Sequence, residues 1–171
     1  MIEELSAAKI LENTISKNMK ANIAYGGKGS QHTRIDKNVI TESVAEGIYL
    51  VEGELHTYIN ENIIRDNSDG ISLFNSKGQI TQNLIEGNQR CGIQWSGSTT
   101  ADITSNQIKS NILIGLLIKE PSLPKVQSNV MKDNHYQISV DKHVAKKYQA
   151  YKTLNTIKGI WDIPKTTCNI F

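Results

Sequence analysis

Two cysteines in 171 residues, Cys91 and Cys168, are too few for a disulfide framework and lack the paired spacing of a zinc site. Sixteen asparagines include no Asn-x-Ser/Thr acceptor, as expected of a chain that never meets glycosylation machinery. The opening residues, Met1-Ile2-Glu3-Glu4, are acidic and have no apolar core, so no secretory leader is expected, and no run has the length and apolarity of a membrane span. These absences predict a cytoplasmic protein with no membrane partner. Arg-rich and aromatic-interleaved stretches are also missing, which argues against nucleic acid as a partner. The net charge of +2 is uneven, because residues 141–171 hold six Lys against two Asp. Such a tail reads first as the solvated face of a cap, and second as a contact for acidic partners. Helical periodicity is lacking as well over residues 10–140: apolar runs there span two to four residues, whereas a helix needs about ten or more of 3.6-residue period.

What is present is a six-residue pattern, apolar-x-x-Asn-x-apolar, repeated six times. Its asparagines are Asn13, Asn38, Asn62, Asn83, Asn106 and Asn129, spaced 21 to 25 residues apart, a period that signals a stacked-repeat architecture. Five residues after each comes a second turn residue: Asn18, Ser43, Asn67, Asn88, Asn111 and Asn134. Gly47, Gly70, Gly92 and Gly115 then precede apolar-x-apolar triplets such as Ile71-Ser72-Leu73. Short alternating runs broken by Asn and Gly read as brief strands joined by turns, with Asn and Gly supplying left-handed conformations. The strands are too short for stable hairpins. A constant period instead lets each pair with its equivalent in the next unit, which predicts an all-β, single-stranded right-handed parallel β-helix of about six coils. Its asparagines stack in hydrogen-bonded ladders.

At this length the chain is one domain. Six coils at a strand spacing of roughly 4.8 Å make a rod of about 30 Å. Residues 1–9 read as an N-terminal cap or the remnant of a preceding coil, 10–141 as the β-helix, and 142–171 as a C-terminal helix and cap. In that cap Val144, Tyr148 and Tyr151 share a helical face opposite Lys146 and Lys147. Solenoids need such caps because an end coil exposes unpaired backbone and core.

Stacking makes the outer columns readable. The middle residue of each third strand must face solvent, giving Ala24, Tyr49, Ser72, Gln94, Leu117 and Ser139. That column has neither acid nor base, which leaves it poorly equipped for hydrolysis or β-elimination. Glu42 and Asp66 stack four residues after their asparagines, where they either share a proton or a cation or point into water beside Lys17 and Arg65; the second reading is favoured. His32 and His56 occupy equivalent places near Glu52 and Glu54, a set that would suit zinc, although loops of unequal length count against it. Tyr25 and Trp95 fall on an inward column and are expected to fill core. The position after the key Asn reads Thr14, Val39, Ile63, Leu84, Gln107, Val130; core is the preferred reading, and a partner-binding ridge the alternative.

Residues 59–73, from Ile59 and Asn62 through Asn67, Gly70, Ile71 and Leu73, follow the parallel β-helix repeat closely, as do residues 80–93. The chain resembles that repeat family over about residues 10–140. The spacing and short loops look most like the solenoids of F-box-only ubiquitin-ligase receptors and Shc-binding spindle proteins. Bacterial members include the copper-site maturation β-helix of nitrous oxide reductase and polysaccharide lyases and epimerases. The resemblance implies a protein-binding platform with no catalytic residues and no cofactor to carry over. The expected function is therefore a non-catalytic scaffold or adaptor with a protein partner. The alternative is a carbohydrate-binding or polysaccharide-cleaving β-helix using Tyr49, Glu52, His56 and the Glu42–Asp66 pair.

Overall fold

A computed structural model describes residues 7–26, 32–52, 57–98, 100–119, 124–141 and 145–159. Each coil contributes three strands. In order they are β1 (Lys9–Leu11), β2 (Thr14–Ser16) and β3 (Ile23–Gly26); β4 (Arg34–Asp36), β5 (Val39–Thr41) and β6 (Glu46–Val51); β7 (Thr57–Asn60), β8 (Ile63–Arg65) and β9 (Asp69–Phe74). Then come β10 (Lys77–Thr81), β11 (Leu84–Glu86) and β12 (Cys91–Ser96); β13 (Thr100–Thr104), β14 (Gln107–Lys109) and β15 (Ile114–Ile118); β16 (Lys125–Gln127), β17 (Val130–Lys132) and β18 (Tyr136–Val140). Helix α1 (Ala145–Leu154) and β19 (Thr156–Lys158) follow. Every third strand pairs with its equivalent in parallel, so the rod has three sheets, each stacked in coil order. This is the parallel β-helix of six coils with a C-terminal helix that the repeat predicts.

Like lies on like inside. Ile35, Ile59, Ile80, Ile103 and Val126 form one buried column of the first sheet, and Ile40, Ile64, Ile85, Ile108 and Met131 another of the second. Each fully buried aliphatic side chain contributes about 1.5–3 kcal/mol. Tyr25 and Trp95 are buried in the third sheet's inward column, as expected.

The asparagines form two ladders. In the first, the main-chain and side-chain amides of Asn62 both donate to Asn83 Oδ1 at 2.9 Å, and its side chain also reaches Ile35 O at 2.7 Å. The second ladder runs through Asn67, Asn88, Asn111 and Asn134 and closes on Gln137, whose Oε1 accepts from Asn134 Nδ2 at 2.8 Å. Where this ladder has Ser43 in place of an amide, Asn22 supplies one, donating to Asn67 Oδ1 at 3.2 Å.

Two expectations about turns are corrected. The left-handed positions are held not by the asparagines but by the residue before each of them. Glu12, Lys37, Glu61, Gln82, Ser105 and Ser128 have φ of 55–60°, and Lys17, Glu42, Asp66, Gly87, Ser110 and Asp133 have φ of 54–64°. The asparagines turn inward and use their amides instead. The glycines before the third strands are needed for close approach: a Cβ on Gly92 would lie 2.7 Å from Gly115 O and 2.8 Å from Asn111 Nδ2.

At the C-terminus, α1 occupies part of the expected cap. Tyr151 is buried and its hydroxyl donates to Pro124 O at 2.8 Å, while the side chains of Val144 and Tyr148 lie outside the described residues. Beyond the helix, β19 adds a seventh strand to the second sheet, and Asn155 adds a further rung to the first ladder, accepting from Asn129 Nδ2 at 2.8 Å. The solenoid therefore reaches into the segment read as cap alone. At the other end β1 begins at Lys9, and residues 1–6 lie outside the described residues.

Candidate functional site

The second sheet presents two outward columns, because the Asn-plus-two residue points inward and its neighbours must point out. Val39, Ile63 and Leu84 are half-buried to exposed, with Ile63 37% exposed, and Val130 continues the column beyond Gln107. The preference for core at these positions is thus corrected; three-residue strands leave no turn to rotate them inward. Beside them run Thr41, Arg65, Glu86, Lys109, Lys132 and Lys158, with Glu86 and Lys109 paired at 3.1 Å.

The third sheet differs. Strands β6, β9 and β12 are six residues long and begin one residue before each crowded glycine. That glycine faces inward, so the residue ahead of it faces out and adds a column that the triplets alone do not reveal: Glu46, Asp69 and Cys91, continued by Ile114 and Tyr136. Asp69 is buried; its Oδ1 accepts from Cys91 N at 2.9 Å and lies 3.8 Å from Arg90 Nε. Acid and base therefore do stand on this face, against the expectation from the middle column. Nor is that column solvent-facing throughout, since Ser72, Leu117 and Ser139 are buried.

Over β6, β9 and β12 a groove of about 290 Å³ opens. Its polar lining comes from Glu46, Asp69, Arg90, Gln94 and two serines, and its apolar lining from Tyr49, Leu73 and Phe74. Towards coils five and six, Cys91, Ile114 and Leu117 pack with Leu113 and Tyr136 into a small apolar cluster separate from the main core. Burial there, reinforced by the Asp69 carboxylate, pushes the Cys91 thiol up to about 12, which leaves it protonated and unreactive.

Of the candidate ligand residues read from sequence that the structure describes, Tyr49 alone lines this groove. Glu52 sits exposed just past β6 in a left-handed conformation, its amide donating to Phe74 O at 2.9 Å. His32 is exposed, its ring 6.3 Å from that of Tyr58, and His56 lies outside the described residues. Glu42 and Asp66 share a corner of the second sheet, and each has its own cation: Lys17 lies 3.7 Å from Glu42, and Arg65 lies 3.5 Å from Asp66. The other groove residues, Glu46, Asp69, Arg90, Gln94 and Phe74 among them, were not singled out from sequence as ligand contacts. The signal for the acids was the residue before each repeated Gly, which reads Glu, Asp, Cys, Ile.

Among the described residues no three of His, Cys, Asp or Glu converge as metal ligands, and no helix is long and apolar enough to cross a membrane. Comparison with curated proteins and with solved structures finds no match. A protein family does match, "Periplasmic copper-binding protein (NosD)", over residues 1–161. The likeness to F-box and Shc-binding solenoids rests on the repeat alone. A periplasmic family overturns the cytoplasmic expectation. A low cysteine count and missing glycosylation acceptors, on which that expectation leaned in part, are compatible with either compartment. Coil after coil of stacked Ile and Asn, matched along nearly the whole sequence, makes this chain a member of the NosD family of β-helix proteins.

Proposed function

We propose that the protein is a non-catalytic solenoid that binds a partner protein through the outer face of its second sheet. The observation that carries this is the outward column Val39, Ile63 and Leu84, apolar in three consecutive coils and flanked by Arg65 and Glu86. Protein interfaces place apolar side chains at their centre and charges at the rim, the first giving affinity and the second choosing the partner. A three-coil ridge about 10 Å long is matched in length by one strand or helix of a partner.

Copper, which the family's description names, finds no site among the described residues. Copper favours thiolate, thioether and imidazole donors. Cys91 is buried with its thiol held protonated, Met131 is in the core, Met19 is 80% exposed, and His32 and His135 lie in coils two and six. The proposal gives copper no part.

The test is capture of the partner by tagged protein from its native host, with the double variant Ile63→Glu/Leu84→Glu beside it. Loss of one stoichiometric protein from the variant, with an unchanged thermal melt and with capture retained by Thr104→Glu on the first sheet, is the expected result. Equal capture by wild type and double variant would remove the ridge from the reading.

A further inference from the structure

We infer that the groove over β6, β9 and β12 is a binding site for a neutral saccharide of one or two rings. It lies on a different sheet from the proposed protein-binding ridge and stands independently of it.

Size comes first. A volume of about 290 Å³ is at the small end of ligand pockets, too little for a long polymer to be enclosed and enough for one or two pyranose rings. Charge comes next. Glu46 and Asp69 line the groove together with Arg90. A cationic ligand would meet the guanidinium, and an anionic one would meet two carboxylates; each arrangement sets like charges together at a cost. A neutral ligand meets neither penalty.

The hydrogen-bonding inventory then selects among neutral ligands. Carboxylates only accept, a guanidinium only donates, and the Gln94 amide does both. Sugar hydroxyls, which donate and accept in pairs, satisfy all three kinds at once. One protein donor is already waiting: Arg90 Nε is buried without a hydrogen bond, and its 3.8 Å approach to Asp69 Oδ1 is too long to be one. Buried donors of this kind are rarely left open. This one is closed to solvent, so a ligand oxygen completes it only with a shift of the Arg90 side chain, and the groove's other polar groups make the first contacts. Apolar surface is supplied by Tyr49 and by Phe74, which is 41% exposed, on neighbouring strands paired Tyr49 to Ser72 and Val51 to Phe74. The C–H face of a pyranose is the complement of such rings.

Saturation-transfer NMR and calorimetry on the full chain test the assignment, with cellobiose, maltose, mannobiose and N,N′-diacetylchitobiose as neutral probes and digalacturonate as the acidic counterpart. At least one neutral disaccharide is expected to bind. Tyr49→Ala and Gln94→Ala are each expected to weaken it tenfold or more without moving the thermal melt, and Ile63→Glu is expected to leave it unchanged. Digalacturonate should bind more weakly than the best neutral probe. Silence from all the neutral probes overturns the proposal, as does binding that survives both groove substitutions, or tighter binding of digalacturonate. If Tyr49→Ala does not fold, Gln94→Ala alone decides the point.

Discussion

On the second sheet β5, β8 and β11 are three residues long, so each coil turns two side chains outward; on the third sheet β6, β9 and β12 are six residues long, and each turns three or more. The short strands yield a ridge of Val39, Ile63 and Leu84. The long ones yield a groove walled by Glu46 and Asp69 on one side and by Phe74 on the other. Both faces rest on the same interior, where an Ile in one coil requires a comparable side chain in the next. The repeat therefore fixes what lies inside and leaves the outer columns free to differ. Strand length decides whether such a column becomes a flat contact or a concave one, and the crowded glycine is what lengthens the third-sheet strands toward an acid.

The largest effect should come from breaking what the two faces share. Ile85 is fully buried on the inner side of β11 and stacks on Ile64 and Ile108. Ile85→Asp places a carboxylate there with no partner, a cost above about 4 kcal/mol. The melting temperature should fall by roughly 10 °C or more, or the transition should vanish, and both faces should lose binding together. Ile63→Glu, on a neighbouring strand but pointing out, should stay within about 0.5 kcal/mol of wild type. Thermal melts of the two variants side by side make the comparison. Similar losses from both would mean that Ile63 is as enclosed as Ile85 and that the second sheet has no exposed ridge.

A smaller effect distinguishes the third face from the second. Cys91 faces outward yet is buried, in the small apolar cluster with Ile114 and Leu117. Burial, followed by the Asp69 carboxylate, raises its thiol from 9.0 to about 12. The unfolded chain gives up this proton first, so the contribution to stability is full below pH 9 and is lost progressively between pH 9 and pH 12. Wild type should show a fall in melting temperature across that window that is visibly shallower in Cys91→Ala. Equal slopes would mean that the cluster is open to water, as the second face is.

The interior was legible because stacking turns a sequence period directly into contact. Ile59, Ile80 and Ile103 could be assigned to one buried column from spacing alone, and Asn62, Asn83 and Asn106 to one ladder. The turn misled on Val39, Ile63 and Leu84: it was expected to rotate them inward, whereas a three-residue strand settles inside and outside by strict alternation. The groove acids were hidden because attention to apolar-x-apolar triplets starts the strand after the glycine, whereas Glu46 and Asp69 precede it. Left-handed backbone was assigned to asparagine on its intrinsic tolerance. In the rod an amide is worth more inside, satisfying Ile35 O and the next coil, than at a turn that Glu61 or Gln82 can occupy. Asn155 and Ile157 repeat the second half of the hexapeptide, but α1 stands between them and coil six and obscures the rung.

The smallest effect concerns the corner where the second face begins. Glu42 and Asp66 stack in successive coils, which on spacing alone would suit a shared proton or a bound cation. In the structure each is about half exposed and has its own cation, Lys17 and Arg65 respectively. Exposed pairs of this kind are worth about 0–1 kcal/mol. If the two carboxylates repelled each other strongly, neutralising one would stabilise the rod; if a cation bridged them, neutralising one would destabilise it in calcium and not in chelator. With separate partners neither happens. Glu42→Gln and Asp66→Asn should each leave the melting temperature within about 2 °C of wild type, with or without millimolar calcium. A calcium-dependent shift in wild type that disappears in either variant would mean that the two carboxylates hold a cation together.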